Sequence, residues 1–126
     1  AAVAVETLKI YHERDILGHV RAMAPQFQSR LKALADHPLV GETRGIGLIG
    51  GVEIVADKTT HASFPLAAKA ALKVYEAAAK RGVLLRPLPS DSIGICPPMI
   101  VTPAEIDEIF DALKGALDDV LPLLKS

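Results

Sequence analysis

The chain has 126 residues, enough for one domain with its own core and short of two. Half of it is hydrophobic but only 4% is aromatic, with no Trp, so alanines and branched aliphatics supply the core and no aromatic binding surface is available. Lys and Arg number 14 against 15 Asp and Glu, a net charge of −1 that excludes nucleic acid or an anionic membrane as partners drawn in by charge, and the single Cys excludes a disulfide framework and a four-cysteine zinc site.

Charges recur too often for the roughly 18–20 apolar residues of a membrane span, and residues 1–5 lack a basic n-region, so a soluble, cytoplasmic domain is expected. The chain opens without Met on what reads as a helix entered part-way, with Val5, Leu8 and Tyr11 on one face. It is therefore expected to be a piece of a longer protein. Asp15 is the predicted N-cap of a second helix, whose apolar face carries Ile16, Val20, Met23, Phe27, Leu31 and Leu34. Pro25 interrupts that pattern and predicts a kink, and His37-Pro38 ends the helix. Residues 40–55 turn rich in glycine and β-branched residues and predict two strands, followed by a polar connection over 56–64. A third helix is predicted over 65–81, with Pro65 in its first turn and Gly82 as its stop. Residues 83–86 and 92–95 predict two short strands of a hairpin, with 87–91 as the turn. Thr102-Pro103-Ala104-Glu105 is a capping box with Pro at the first helical position, and Ile106, Ile109, Phe110, Leu113, Leu117, Val120, Leu121 and Leu124 continue the stripe of a last helix. The order α-α-β-β-α-β-β-α predicts an α+β fold, a small antiparallel or mixed sheet with helices packed mainly on one face.

Gly45, Gly47 and Gly50 satisfy G-x-G-x-x-G literally. A dinucleotide site needs those glycines to lead from a strand into a helix, and here they lead into Val52-Glu53-Ile54-Val55, so the strand reading is preferred. His12, His19, His37 and His61 lie too far apart for a helical zinc pair, and no metal site is expected; they read as surface and loop histidines, and Cys96 as a buried thiol. Asp118-Asp119 reads as a solvated pair. Arg86 stands apart: it ends a short apolar strand immediately before Pro87, with little other charge nearby. Its planar guanidinium suits a two-point grip on a carboxylate; equally, it suits a local ion pair, with Asp91 across the turn as the nearest acid. Arg44, close in sequence to Glu42 and Glu53, leans to a structural pair.

With these segments in order, the chain resembles the C-terminal part of a class III, pyridoxal-phosphate-dependent aminotransferase of the ω-transaminase type. Residues 1–15 resemble the helix leaving the family's large domain, 37–55 the first strands of its small domain, and 82–101 with the helix after them its closing hairpin. The resemblance implies a fold type I homodimer, with residues 1–36 linking from an absent large domain and 37–126 forming the small domain. It implies transfer of an amino group between an amine or ω-amino acid and a keto acid such as pyruvate. Pyridoxal 5′-phosphate is then held by a lysine and an aspartate of the large domain, so no cofactor-binding and no catalytic residue is expected here, and the segment alone is expected to be inactive. Lys69, Lys73 and Lys80 fall on polar helix positions. By the same resemblance, Arg86 matches an arginine that binds the substrate carboxylate and swings away from an apolar substituent. Relatives acting on ornithine or γ-aminobutyrate-like substrates carry another arginine one strand later, where this chain has Gly94 before Ile95, Cys96, Pro97 and Pro98. That departure argues against the ornithine-like branch. A non-catalytic, small-molecule-binding regulatory α+β domain is the alternative reading.

Overall fold

The computed structural model describes residues 1–125. Two helices lead in, α1 (Ala2–Glu13) and α2 (Ile16–Ala33), separated by a left-handed Asp15 whose carboxylate accepts the Gly18 N–H at 3.2 Å. Asp15 is thus the N-cap its side chain predicts. Helix α2 continues through Pro25 and closes with a 3-10 turn, Leu34–Asp36, before His37. The first hairpin follows as β1 (Val40–Ile46) and β2 (Ile49–Ile54), joined by a two-residue loop that Gly47 enters at φ 58°. Glycine in the first position of such a loop supplies the positive φ that the twist of a hairpin requires.

The third helix is shorter than the sequence predicts. Residues Leu66–Ala68 form a 3-10 turn, Lys69 is left-handed, and α3 spans Ala70–Lys80. Its start is fixed from a distance, because the Asp91 carboxylate accepts the Ala71 N–H at 3.1 Å. The second hairpin pairs β3 (Arg86–Leu88) with β4 (Ser92–Ile95). Strand β4 lies where predicted, whereas β3 begins at Arg86, the residue predicted to end it. Pro87, read as turn, is a strand residue; β3 is the edge of the sheet, the place that tolerates a residue without an N–H. Helix α4 (Pro103–Leu124) opens with the complete capping box: Thr102 Oγ1 accepts the Glu105 N–H at 3.3 Å, and the Glu105 carboxylate accepts the Thr102 N–H at 2.8 Å.

All four strands are antiparallel, in the order β1-β2-β4-β3. Alternation along them sends Val52, Ile54, Ile93 and Ile95 into the core, where α2, α3 and α4 cover one face of the sheet. Phe27 and Phe110 meet edge to face at 5.1 Å in the centre of that core. Among the described residues no helix covers the opposite face. Helix α1 buries no residue; Val5, Leu8 and Tyr11, the face expected to pack, stay exposed, with Leu8 and Tyr11 bordering a shallow cavity against α2 and Met99 that does not cover them.

Candidate functional site

Arg86 is delivered by the end of α3. Gly82, at φ 87°, turns the chain out of the helix; its N–H bonds Ala79 O at 3.0 Å and the Val83 N–H bonds Ala78 O at 3.1 Å. This paired closure needs the glycine. Residues 83–85 then run to the sheet edge, and β3 starts. At the far end of the hairpin, Ser90 and Asp91 are left-handed. Asp91 is tied twice, through its carboxylate to α3 and through its carbonyl to the Ile54 N–H at 2.8 Å. The hairpin that carries Arg86 is therefore anchored at both ends.

Arg86 borders a cavity of about 620 Å³ walled by Val83, Leu84, Gly94, Cys96, Pro97 and neighbouring apolar residues, and it is the one charged side chain of that wall. A second cavity of about 560 Å³ continues past Ile100 and shares Val83, Leu84, Pro97, Pro98 and Ile109 with the first. Together they make a groove with an apolar shared wall, the Arg86 guanidinium bordering one end and Glu105 and Glu108 bordering the other. Among the described residues nothing pairs with Arg86; Asp91, the local acid that sequence offers, is engaged with Ala71 instead. An exposed, unpaired guanidinium beside an apolar wall has the chemistry to hold a carboxylate and leave room for the rest of a small molecule.

The other candidates separate cleanly. Arg44 Nε stands 3.6 Å from the Glu42 carboxylate on an exposed strand. Gly45 and Gly50 face α2: a Cβ on Gly45 would lie 2.6 Å from Leu31 Cδ2, and one on Gly50 would lie 3.2 Å from Phe27 Cε1. The G-x-G-x-x-G string is a seat for a helix, and no helix N-terminus follows it.

His37 is buried, contrary to the expectation of a surface or loop position. Its Nδ1 accepts the Leu39 N–H at 3.1 Å, which leaves the proton on Nε2, 3.2 Å from Asp118 Oδ1. Burial is the leading cause that lowers its pKa; the charge and hydrogen bond of Asp118 oppose it, and the charges of Lys114 and Lys58 add to it. Asp118 is itself held below the usual carboxylate range, chiefly by its hydrogen bond from Lys114. Asp119 receives Arg81 at 2.8 Å. The Asp118-Asp119 pair read as solvated thus ties α4 to the start of β1 and the end of α3. His19 Nε2 lies 2.8 Å from Val101 O and His61 Nδ1 3.4 Å from Glu53. Among the described residues no three His, Cys, Asp or Glu side chains converge on a point. Cys96 is exposed and not buried, because β4 alternation turns Ile93 and Ile95 inward and Gly94 and Cys96 outward.

Residues 1–117 match the family model described as aminotransferase class-III. The chain belongs to the class-III aminotransferase family. It is 43% identical over 126 residues to the probable γ-aminobutyrate transaminase 3, mitochondrial, of Oryza sativa subsp. indica, covering 97% of this chain and 24% of that protein. It superposes with a TM-score of 0.92 on the PMP-bound form of an aminotransferase from Vibrio fluvialis, at 35% identity, over 98% of this chain and 27% of that one. A transaminase solved with L-ala gives 0.91 at 40% identity, over 98% and 29%. The chain thus spans about a quarter of the length of the relatives it matches.

Class-III aminotransferases depend on pyridoxal 5′-phosphate. In this segment the lysines lie outside both cavities, and all but the half-buried Lys73 are exposed. No aspartate lines the cavity beside Arg86. The residues present therefore do not fit a covalent anchor for that cofactor; what this class-III segment offers is an exposed guanidinium beside an apolar wall.

Proposed function

We propose that residues 37–126 are the small domain of an aminotransferase, linked by residues 1–36 to a cofactor-bearing large domain that works as a homodimer, and that Arg86 grips the carboxylate of a keto acid such as pyruvate. The observation that carries this reading is the unpaired Arg86 as the one charge on an apolar wall. Family membership favours it over a stand-alone regulatory module. L-Alanine, the ligand named for one similar structure, is the aminated partner of pyruvate and supports a pyruvate-type acceptor. The amino donor is an amine or an ω-amino acid. The rice relative, named for γ-aminobutyrate, keeps the ω-amino acid in view despite Gly94, since Gly94 bears on where a carboxylate is held and not on the length of the donor.

A charge-assisted hydrogen-bonded pair contributes about 1.5–3 kcal/mol. Arg86→Ala in the full-length enzyme is expected to lower kcat/KM for pyruvate by about 10- to 150-fold. A simple apolar amine, measured in its own half-reaction, is expected to lose much less. Equal losses on both substrates would end the claim that one pocket serves both.

A further inference from the structure

The residues around Arg86 include a feature that carboxylate binding alone does not use. The strand pairings align Arg44, Gly51, Gly94 and Arg86 in one row across all four strands. Directly opposed residues of antiparallel strands share a face. This is the helix-free face, because the alternating Gly50, Val52, Ile93 and Ile95 are buried on the other side. The two middle strands therefore offer bare backbone between the two arginines, three strand steps of about 4.8 Å each. A Cβ on Gly51 would meet only Arg44 O, at 3.9 Å, whereas one on Gly94 would meet Leu88 Cδ1 at 3.3 Å and Arg86 Cβ at 3.7 Å.

An extended arginine reaches about 7 Å from Cα to its terminal nitrogens, by bond lengths alone. From Arg86 that carries the guanidinium across Gly94 and short of Gly51, well away from Arg44, whose own guanidinium is turned to Glu42. The adjoining row holds Glu42 directly opposite Glu53. Glu42 faces Arg44 and Glu53 faces His61, so that row already has its own partners.

We propose that Gly94 is a positioning residue that gives Arg86 two placements: standing, to meet a carboxylate, and lying flat over Gly94 toward Gly51, when the substrate brings an apolar group to the same place. This rests on the reading of Arg86 as the carboxylate grip. A side chain at position 94 takes away the flat placement and leaves the standing one. Gly94 is not among the residues with positive φ, and its tightest neighbour is the flexible end of Leu88, so the strand accepts a larger residue there.

The test uses the full-length, cofactor-loaded enzyme and two separate half-reactions, one with pyruvate and one with a phenyl-substituted primary amine. Gly94→Val is expected to lower kcat/KM for the amine by about tenfold or more, and for pyruvate by no more than about threefold. Gly94→Ala is expected to shift the ratio in the same direction by less. Removing the arginine as well should lift the penalty: Arg86→Ala with Gly94→Val should match Arg86→Ala alone on the amine within about threefold. Equal losses on both substrates in the Gly94 variants, or a double variant as slow on the amine as Gly94→Val, would overturn the proposal. If Arg86→Ala alone affects both substrates equally, the carboxylate reading itself has failed, and the two failures are told apart.

Discussion

The two hairpins of this domain use glycine on opposite faces of one sheet. In the first, Gly45 and Gly50 look toward α2, and any added methyl would press on Leu31, Phe27 or the backbone at Ile49. The missing side chains let a helix close onto a sheet, so these positions serve stability. In the second, Gly94 looks outward beside Arg86, and its missing side chain leaves room for another side chain to move. Residue type alone does not separate these roles. Parity along the strand does, since successive residues face opposite sides.

Three measurements, beyond those on Arg86 and Gly94, break or sharpen this contrast. The largest effect is expected at the helix that the first hairpin seats. Phe27 is fully buried against Phe110 and lies over Gly50. Phe27→Ala should cost about 3–5 kcal/mol in denaturant unfolding, while the preference between pyruvate and amine stays unchanged in the protein that remains folded. A shifted preference would show that the two hairpins are not independent.

Next comes a pair of neighbours. Gly50→Ala puts a methyl 3.0 Å from Leu31 Cδ2 and should cost about 1–3 kcal/mol. Gly51→Ala, with only Arg44 O near, should change stability by less than about 0.5 kcal/mol. Equal costs would refute the assignment of faces.

The smallest effect is a pH dependence confined to the first hairpin. His37, at its entry, has a pKa lowered below 6.5 mainly by burial. The unfolded chain then takes up a proton more readily than the folded one. The stability this contributes is fully present above pH 6.5 and is lost as pH falls below it. Asp118, lowered from 3.8, gives up its contribution only at more acid pH. The unfolding midpoint should therefore drop between about pH 7 and 5, and the slope should flatten in His37→Gln. An unchanged slope in that variant would place the titrating group elsewhere.

Local signals are legible in the sequence where the partners lie within a turn of each other. The Thr102–Glu105 box and the Asp15 cap form as expected, because each closes over three residues. Strand β4 and the first hairpin also stand where their alternation and glycines put them. The misread boundaries all depend on distant groups. Helix α3 starts at Ala70 because Asp91 reaches it from the other hairpin, and β3 is defined by pairing with β4, which draws Pro87 into the strand. The burial of His37 comes in part from α4, far along the chain, and the exposure of Cys96 follows from the face it takes, which an apolar neighbourhood in sequence does not specify.

By itself the sequence determined the order of elements, the caps, the kinship to class-III aminotransferases and Arg86 as the residue worth following. Those rest on short-range spacing and on strings of residues, which are properties of the chain before it folds. Only the tertiary structure decided that Arg86 is unpaired on an apolar wall and that Gly94 and Gly51 clear the floor beside it. Strand register sets which side chains share a face, and register is settled by pairing between segments that the chain keeps far apart.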